Sequence, residues 1–250
     1  MNNTTDTYSD TYHISSTDTD ASYELRPSAL FAYLQRAITD HSQLVGTSRD
    51  DMLEKYNCYW MVLRIWVRLN RPVIWGEMLT VRVTVRHPVG TRVYRDCDLY
   101  VGQEQVGEAT TVWVLANRST HRPIQLEHLP ELPEKDPQGA KSITLSRIRF
   151  PENMALHDRR SLYYSDTDIN GHINNTRYVD LASDAAELNL RPHGVFLQEI
   201  MISYVDECFA GEALNIYRGK ADGLLYIHGT GETGSDRFDC TIRMSSDEGL

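Results

Sequence analysis

The chain has 250 residues, 41% of them hydrophobic and 24% charged, a globular composition that excludes a fibrous or disordered protein. Its formal charge of −10 repels polyanions, so a nucleic-acid role has no electrostatic basis, and any acidic partner needs a local basic patch. No apolar run nears the roughly 18 residues that span a bilayer, and the polar, acidic opening MNNTTDTYSDTYHISSTDTDAS is unlike a signal or transit peptide.

Secretion, membrane insertion and import by a presequence are therefore not expected. Cys58, Cys97, Cys208 and Cys240 are far apart with no C-x-x-C pair, which argues against a structural zinc site and a disulfide scaffold. A reducing cytoplasm is the expected compartment, with each cysteine acting as a small buried hydrophobe.

In chain order, the first recognisable element is the polar turn SSTDTDAS at residues 15–22. ALFAYLQRAITDHS follows from Ala29, with Leu30, Phe31, Leu34, Ala37 and Ile38 at helical spacing. A surface helix needs no apolar arc that wide, so this helix is expected inside a sheet. His41 has polar neighbours and reads as structural or solvated. WVRLNRPVIWGEMLTV is a strand closing on a Gly76-Glu77 turn, and MLTVRVTVRH alternates Leu79, Val81, Val83 and Val85 with Thr80, Arg82, Thr84 and Arg86, the period of a sheet with one wet face. TRVYRDCDLYVG puts Val93, Cys97, Leu99 and Val101 on one side, and EQVGEATTVWVL continues as a further strand. Trp60, Trp66, Trp75 and Trp113 read as core.

LPELPEKDPQGAK then brings three prolines and a glycine, which resist helix and strand. Residues 129–142 are accordingly a linker between units of 1–128 and 143–250. After it the first pattern returns. YSDTDING at 164–171 echoes SSTDTDAS, NTRYVDLASDAAEL from Asn175 supplies a second helix, ISYVDECFAGEALNI repeats the strand with Gly211-Glu212, and EALNIYRG, GLLYIHGTGET and FDCTIRM are further strands. Asp168 stands 148 residues after Asp20, Tyr178 145 after Tyr33, and Gly211 135 after Gly76, so the first copy carries extra residues, the longer insertion around Gly46 to Lys55. The expected fold is α+β, two related units of one helix wrapped by a curved antiparallel sheet.

Residues Asp166 to Tyr178, DTDINGHINNTRY, resemble the catalytic segment of the acyl-acyl carrier protein thioesterases, an Asp-x-Asn-x-His core followed by Asn-Asn-x-basic-Tyr. Asp168, Asn170, His172, Asn174, Asn175, Arg177 and Tyr178 all match. Thirty-five residues after His172 comes Glu207-Cys208, similar to the family's Glu-Cys pair and expected on the strand before the Gly-Glu turn. Gly171 and Leu181 depart from the plant pattern, so the similarity is to a bacterial branch. The resemblance implies a tandem (double) hotdog fold and hydrolysis of fatty acyl-carrier-protein thioesters, with no metal and no redox cofactor.

Thioester hydrolysis needs an activated water and donors for the oxyanion. His172 and Glu207 can supply the first. Asn170 can supply the second, helped by the N-terminus of a helix capped by Asn174 or Asn175. Asp168 would hold Asn170 in place, orient water, or attack directly to give an anhydride. Cys208 with His172 and Asn170 forms the residue set of a cysteine-nucleophile alternative, which Asp206 and Glu207 disfavour by raising a thiol pKa. A calcium loop starting at Asp166 would place Arg177 where a bidentate Glu is needed, and a purely structural turn is the remaining reading. In the first copy Ser22 and Glu24 stand at the positions of Asn170 and His172, so one unit reads as catalytic and the other as shaping an acyl pocket, with Met61, Leu63 and Ile65 as candidate lining.

A carrier protein is acidic. Arg64, Arg68, Arg71, Arg82, Arg86, Arg92 and Arg95 in the first unit's strands, and Arg147, Arg149, Arg159 and Arg160 in the second, are candidate docking cations, Arg159 and Arg160 foremost. An acyl-CoA thioesterase and a non-catalytic acyl-binding hotdog protein are the alternatives, and homodimerisation is compatible with all three.

Overall fold

The alternation in MLTVRVTV produces the strand it predicts, and its apolar face becomes core. The structure is a computed structural model that describes residues 7–126 and 129–245. Within them β1 spans Thr7–His13, β2 Cys58–Leu69, β3 Met78–Val85, β4 Arg92–Val101, β5 Glu104–Asn117, β6 Ala155–Ser161, β7 Leu197–Tyr204, β8 Ala213–Ala221, β9 Leu224–Gly231 and β10 Asp236–Met244. Leu79, Val81, Val83 and Val85 are buried while Arg82 is exposed. All ten strands join one antiparallel sheet in the order β1-β3-β4-β5-β2-β7-β10-β9-β8-β6. Each half repeats the same strand order outward from the β2–β7 seam, where Ile65 pairs with Ile202. The edge strands β1 and β6 carry no apolar alternation, since an outermost strand with mostly exposed side chains needs none.

Helix α1, Pro27–Leu44, begins with a proline, whose fixed φ and missing N–H suit a first helical turn. Its Leu30, Phe31, Leu34, Ala37 and Ile38 are all buried. Helix α3, Asn175–Ala185, buries Tyr178, Leu181, Ala182 and Ala185. It stops three residues short of the predicted span because Arg218 on β8 donates to the Ala185 carbonyl at 3.0 Å and Glu187 turns left-handed at φ 55°. The two helices pack against each other, and one hydrophobic core runs through both halves. Each fully buried Leu, Ile or Phe there contributes about 1.5–3 kcal/mol. Among the described residues no helix is long and apolar enough to cross a membrane.

The ten-residue insertion of the first half is a helix of its own, α2, Arg49–Tyr56. Ser48 accepts from the Asp51 N–H at 3.2 Å and Asp51 accepts from the Ser48 N–H at 2.9 Å, a capping box that the Ser48-x-x-Asp51 spacing carried in advance. Only Met52 of the helix is buried, so no apolar period marks it. The Pro-rich segment is not a free tether either: Leu132 is buried with Met52 and Leu115.

Several expectations are corrected. A bulge between Val62 and Arg64 interrupts the β2 ladder and packs Leu63 against the cluster of Trp66, Tyr94, Val112 and Leu145, away from the core that holds Ile65. Trp75 lies outside the core, 53% exposed and stacked on Tyr23. For His41 the structural alternative holds and the solvated one does not: it is buried and stacked on the Tyr8 ring at 5.8 Å.

Of the first-unit arginines, Arg68, Arg71, Arg86 and Arg95 are not part of a free basic face, while Arg82 and Arg92 are exposed. Arg95 shares a strand face with Val93 and Cys97 and is buried, donating to Ser42 Oγ at 2.8 Å and the Ile38 carbonyl at 3.3 Å, with its guanidinium over Trp60 and Trp113. Burial pulls its pKa down to about 10. Arg86 is buried against Asp96, Arg68 pairs with Glu108, and Arg71 with Glu77 and Glu104.

Candidate active site

A polar loop, 162–174, runs from β6 to α3 and is held almost entirely by its own backbone. The His172 carbonyl accepts from the Asp168 N–H at 2.8 Å, and the Asp168 carbonyl accepts from the Gly171 N–H at 3.0 Å. Gly171 sits at φ +80°, where an L side chain is strained. Asp168 Oδ1 accepts from the Asn170 N–H at 2.8 Å, and Asn170 Nδ2 lies 3.4 Å from Asp168 Oδ2. Asp168 thus holds both ends of Asn170, whose side chain faces solvent. Asn174 is the cap of α3: its Oδ1 accepts from the Thr176 N–H at 2.9 Å. The Asn175 carbonyl instead accepts from Tyr204 Oη at 3.1 Å.

Backbone hydrogen bonds fasten both ends of this loop to a distant stretch, Leu162 to Gly211 and Glu212, and Ile173 to Cys208. The Ile173 N–H donates to the Cys208 carbonyl at 2.9 Å, which brings Glu207 beside His172. Glu207 Oε1 stands 3.3 Å from His172 Nδ1, and the imidazole rests edge-on to Phe209 with centroids 5.0 Å apart. Both side chains are about one-third exposed, so the pair is steadied by packing yet open to water. Because Glu207 occupies Nδ1, Nε2 is the nitrogen left to handle a proton.

Asp206, Glu207 and Cys208 lie just past the end of β7, not on the strand as the spacing suggested. Arg237 on β10 draws the chain off the ladder. Its carbonyl accepts from both Val205 and Asp206 N–H, and its Nη1 donates to Asp206 Oδ2 at 2.6 Å and to the Glu207 carbonyl at 2.7 Å. No sequence motif singles out Arg237; only the β7–β10 register puts it there. Tyr59, on β2 of the other half, feels the same carboxylate: burial first, then the Glu207 charge, raises its phenol pKa.

Cys208 is fully buried beneath the loop, and burial raises its thiol pKa against the lowering influence of Tyr178 and Arg237. A buried thiol held in its neutral form is a poor nucleophile. Arg177, at position 12 of the hypothetical calcium loop, is paired with Asp180 at 2.9 Å. Among the described residues no three His, Cys, Asp or Glu side chains converge as a metal site requires. Arg159 and Arg160 lie on edge strand β6, Arg159 paired with Glu232 and Arg160 with Asp158 and Asp184.

The first half repeats the loop frame bond for bond. Asp20 N–H donates to the Glu24 carbonyl at 2.9 Å, Ser22 N–H to Asp20 Oδ1 at 2.8 Å, and Leu25 N–H to the Val73 carbonyl at 2.7 Å. Tyr23, at the place of Gly171, is also left-handed at φ +63°. These bonds equate Glu24 with His172, Ser22 with Asn170 and Pro72 with Glu207. The turn is duplicated while its chemistry is not, and the Pro72 replacement emerges only from the hydrogen-bond frame.

Two family models match the chain, "Acyl-ACP thioesterase N-terminal domain" over residues 5–130 and "Acyl-ACP thioesterase C-terminal domain" over residues 152–249. The chain belongs to the acyl-ACP thioesterase family. It is 27% identical over 198 residues to an oleoyl-acyl carrier protein thioesterase of Coriandrum sativum, covering 70% of this chain and 52% of that one. It is 26% identical over 220 residues to a palmitoyl-acyl carrier protein thioesterase of Gossypium hirsutum, covering 80% and 52%. The chain thus spans about half the length of these curated relatives. Among solved structures, an acyl-ACP thioesterase from Bacteroides thetaiotaomicron superposes with a TM-score of 0.84 at 19% identity, over 96% of this chain and 98% of that one. That likeness establishes the tandem hotdog fold.

Proposed function

We propose that the protein hydrolyses the thioester of a fatty acyl chain borne by acyl carrier protein, releasing the free acid, with water activated by His172. The observation that carries this reading is the 3.3 Å approach of Glu207 to His172 Nδ1, beside a loop that presents Asn170 to solvent. Glu207 fixes the imidazole so that Nε2 takes a proton from water as its oxygen attacks the thioester carbonyl carbon. Asn170 Nδ2, braced by Asp168, donates to the oxygen on which negative charge develops. Collapse of the tetrahedral intermediate breaks the carbon–sulfur bond, and the leaving thiolate recovers the proton from His172. Asp168, Asn170, His172 and Glu207 form the working set, Asn174 and Asn175 open the helix beside it, and Arg237 is a positioning residue for Glu207. The two relatives are named for different acyl chains at nearly equal identity, so what they have in common is the thioester chemistry and the carrier handle.

Replacement of Arg237 by alanine removes charge-assisted hydrogen bonds worth about 1.5–3 kcal/mol to the Glu207 segment. The expected result is a fall in kcat of about tenfold to a hundredfold with KM nearly constant, partly restored in Arg237→Lys; steady-state kinetics decide it. The carrier handle is tested by comparing rates on carrier-protein and coenzyme A thioesters of one acyl chain. Arg159 and Arg160 sit on the exposed strand that leads into the site loop, so reversing both charges should weaken the carrier substrate more than the coenzyme A thioester. Equal loss on both would contradict docking there, and a faster coenzyme A reaction in the unaltered protein would favour the acyl-CoA reading. Four buried free cysteines support a reducing cytoplasm as the working compartment.

A further inference from the structure

We propose that the duplicated loop of the first half retains a binding site for an aliphatic chain with an uncharged polar head, separate from the hydrolytic site. Between the start of α1 and the end of α3 the structure contains a cavity of about 400 Å³, within the usual range for small-molecule pockets. Leu30, Phe31, Val73, Leu197, Ile200 and Met244 are among its walls. They come from both halves, and none of Asp168, Asn170, His172 or Glu207 lines it. An apolar hollow of this size gains free energy by taking up hydrocarbon, about 0.8 kcal/mol for each buried CH2.

The polar part of the lining defines the head group. It is formed by Asp20 and Glu24 of the duplicated loop, with Arg191 reaching across from the second half to Asp20 Oδ2 at 2.8 Å and Glu24 Oε2 at 2.9 Å. The other two carboxylates of the lining are paired as well, Asp180 with Arg177 and Asp184 with Arg160. A carboxylate ligand would face the four carboxylates Asp20, Glu24, Asp180 and Asp184, with Arg26, whose Nη2 donates to the Thr17 carbonyl, as the lining cation that none of them holds, and an ammonium would compete with Arg191 for Asp20 and Glu24. An uncharged hydroxyl or ester can hydrogen-bond to these groups while every ion pair stays closed. Glu24, Ser22 and Pro72 replace the groups that would activate water, so a bound chain is held and not cleaved.

The probe is 1-dodecanol, titrated calorimetrically into the whole chain and into His172→Ala, with dodecanoate and dodecylammonium as charged counterparts. One saturable equivalent of the alcohol should bind with the same affinity in both proteins. The two charged amphiphiles should bind about tenfold more weakly or worse. Leu197→Trp and Ser28→Phe, which each fill part of the cavity, should each lose about tenfold or more in alcohol affinity while hydrolysis keeps its KM. No saturable binding, equal affinity for dodecanoate, unchanged affinity in both filled variants, or a rise in KM parallel to the lost binding would each overturn the proposal; the last would make the cavity the substrate's own pocket. Because the titration is read in His172→Ala, it stands or falls independently of the hydrolytic reading.

Discussion

His172→Ala will lower the rate of thioester hydrolysis by about 10²–10⁴-fold, the usual contribution of a positioned general base, with folding and thermal stability unchanged. The side chain is about one-third exposed and meets the protein through one carboxylate and the edge of Phe209, so its removal leaves neither a buried charge nor a large cavity. Glu207→Gln should produce a loss of similar order, because an amide at 3.3 Å from Nδ1 can hold the wrong imidazole tautomer as readily as the right one. The double variant should be little worse than either single one, since the two groups act as a unit. Cys208→Ala should retain most of the rate, its cost being a small cavity under the loop. If single-turnover measurements gave the reverse, with Cys208→Ala inactive and His172→Ala active, the water mechanism would fall.

The largest expected stability effect lies far from this chemistry, at Asp96. Four donors converge on its carboxylate: Arg86 Nε at 2.7 Å, Arg86 Nη2 at 2.5 Å, Thr110 Oγ1 at 2.9 Å and the Lys141 N–H at 2.8 Å. Arg86 and Asp96 are both buried. Asp96→Ala therefore strands a guanidinium away from water and unfastens the linker at Lys141. A loss of about 3–5 kcal/mol is expected, equivalent to a fall of roughly 10 °C in Tm for a chain of this size. Adding Arg86→Met should recover most of that loss, because replacing both partners of a buried ion pair is often nearly neutral. Chemical denaturation of the single and double variants measures both effects. A single-variant cost under about 1 kcal/mol would mean that water reaches the pair.

Much of the fold was readable in the residues. The duplicated DTD turn, the two apolar helical arcs and the period-two strands already implied two like units. What escaped the reading has physical causes. Edge strands β1 and β6 and helix α2 bury few side chains, so hydrophobic periodicity has nothing to record there. Arg86 and Arg95 look like surface cations in a linear reading, whereas a buried carboxylate in one case and a hydroxyl, a carbonyl and two indole faces in the other hold them inside. Leu63 alternates correctly until a bulge moves it to the opposite face.

The sequence alone determined the chemical inventory and its asymmetry: an imidazole, a carboxamide and two carboxylates in one copy of the repeat, with Glu24 and Ser22 in place of two of them in the other. Local spacing suffices for this because a turn of seven residues is built by its own backbone bonds. Only the tertiary structure decided that Glu207 reaches His172, that Arg237 holds it there, that Pro72 takes its place in the first half, and that a hydrocarbon-lined hollow remains beneath the inert copy. Each of these depends on strand register and on packing between segments far apart in the chain, where a shift of one residue would turn the side chains to the other face.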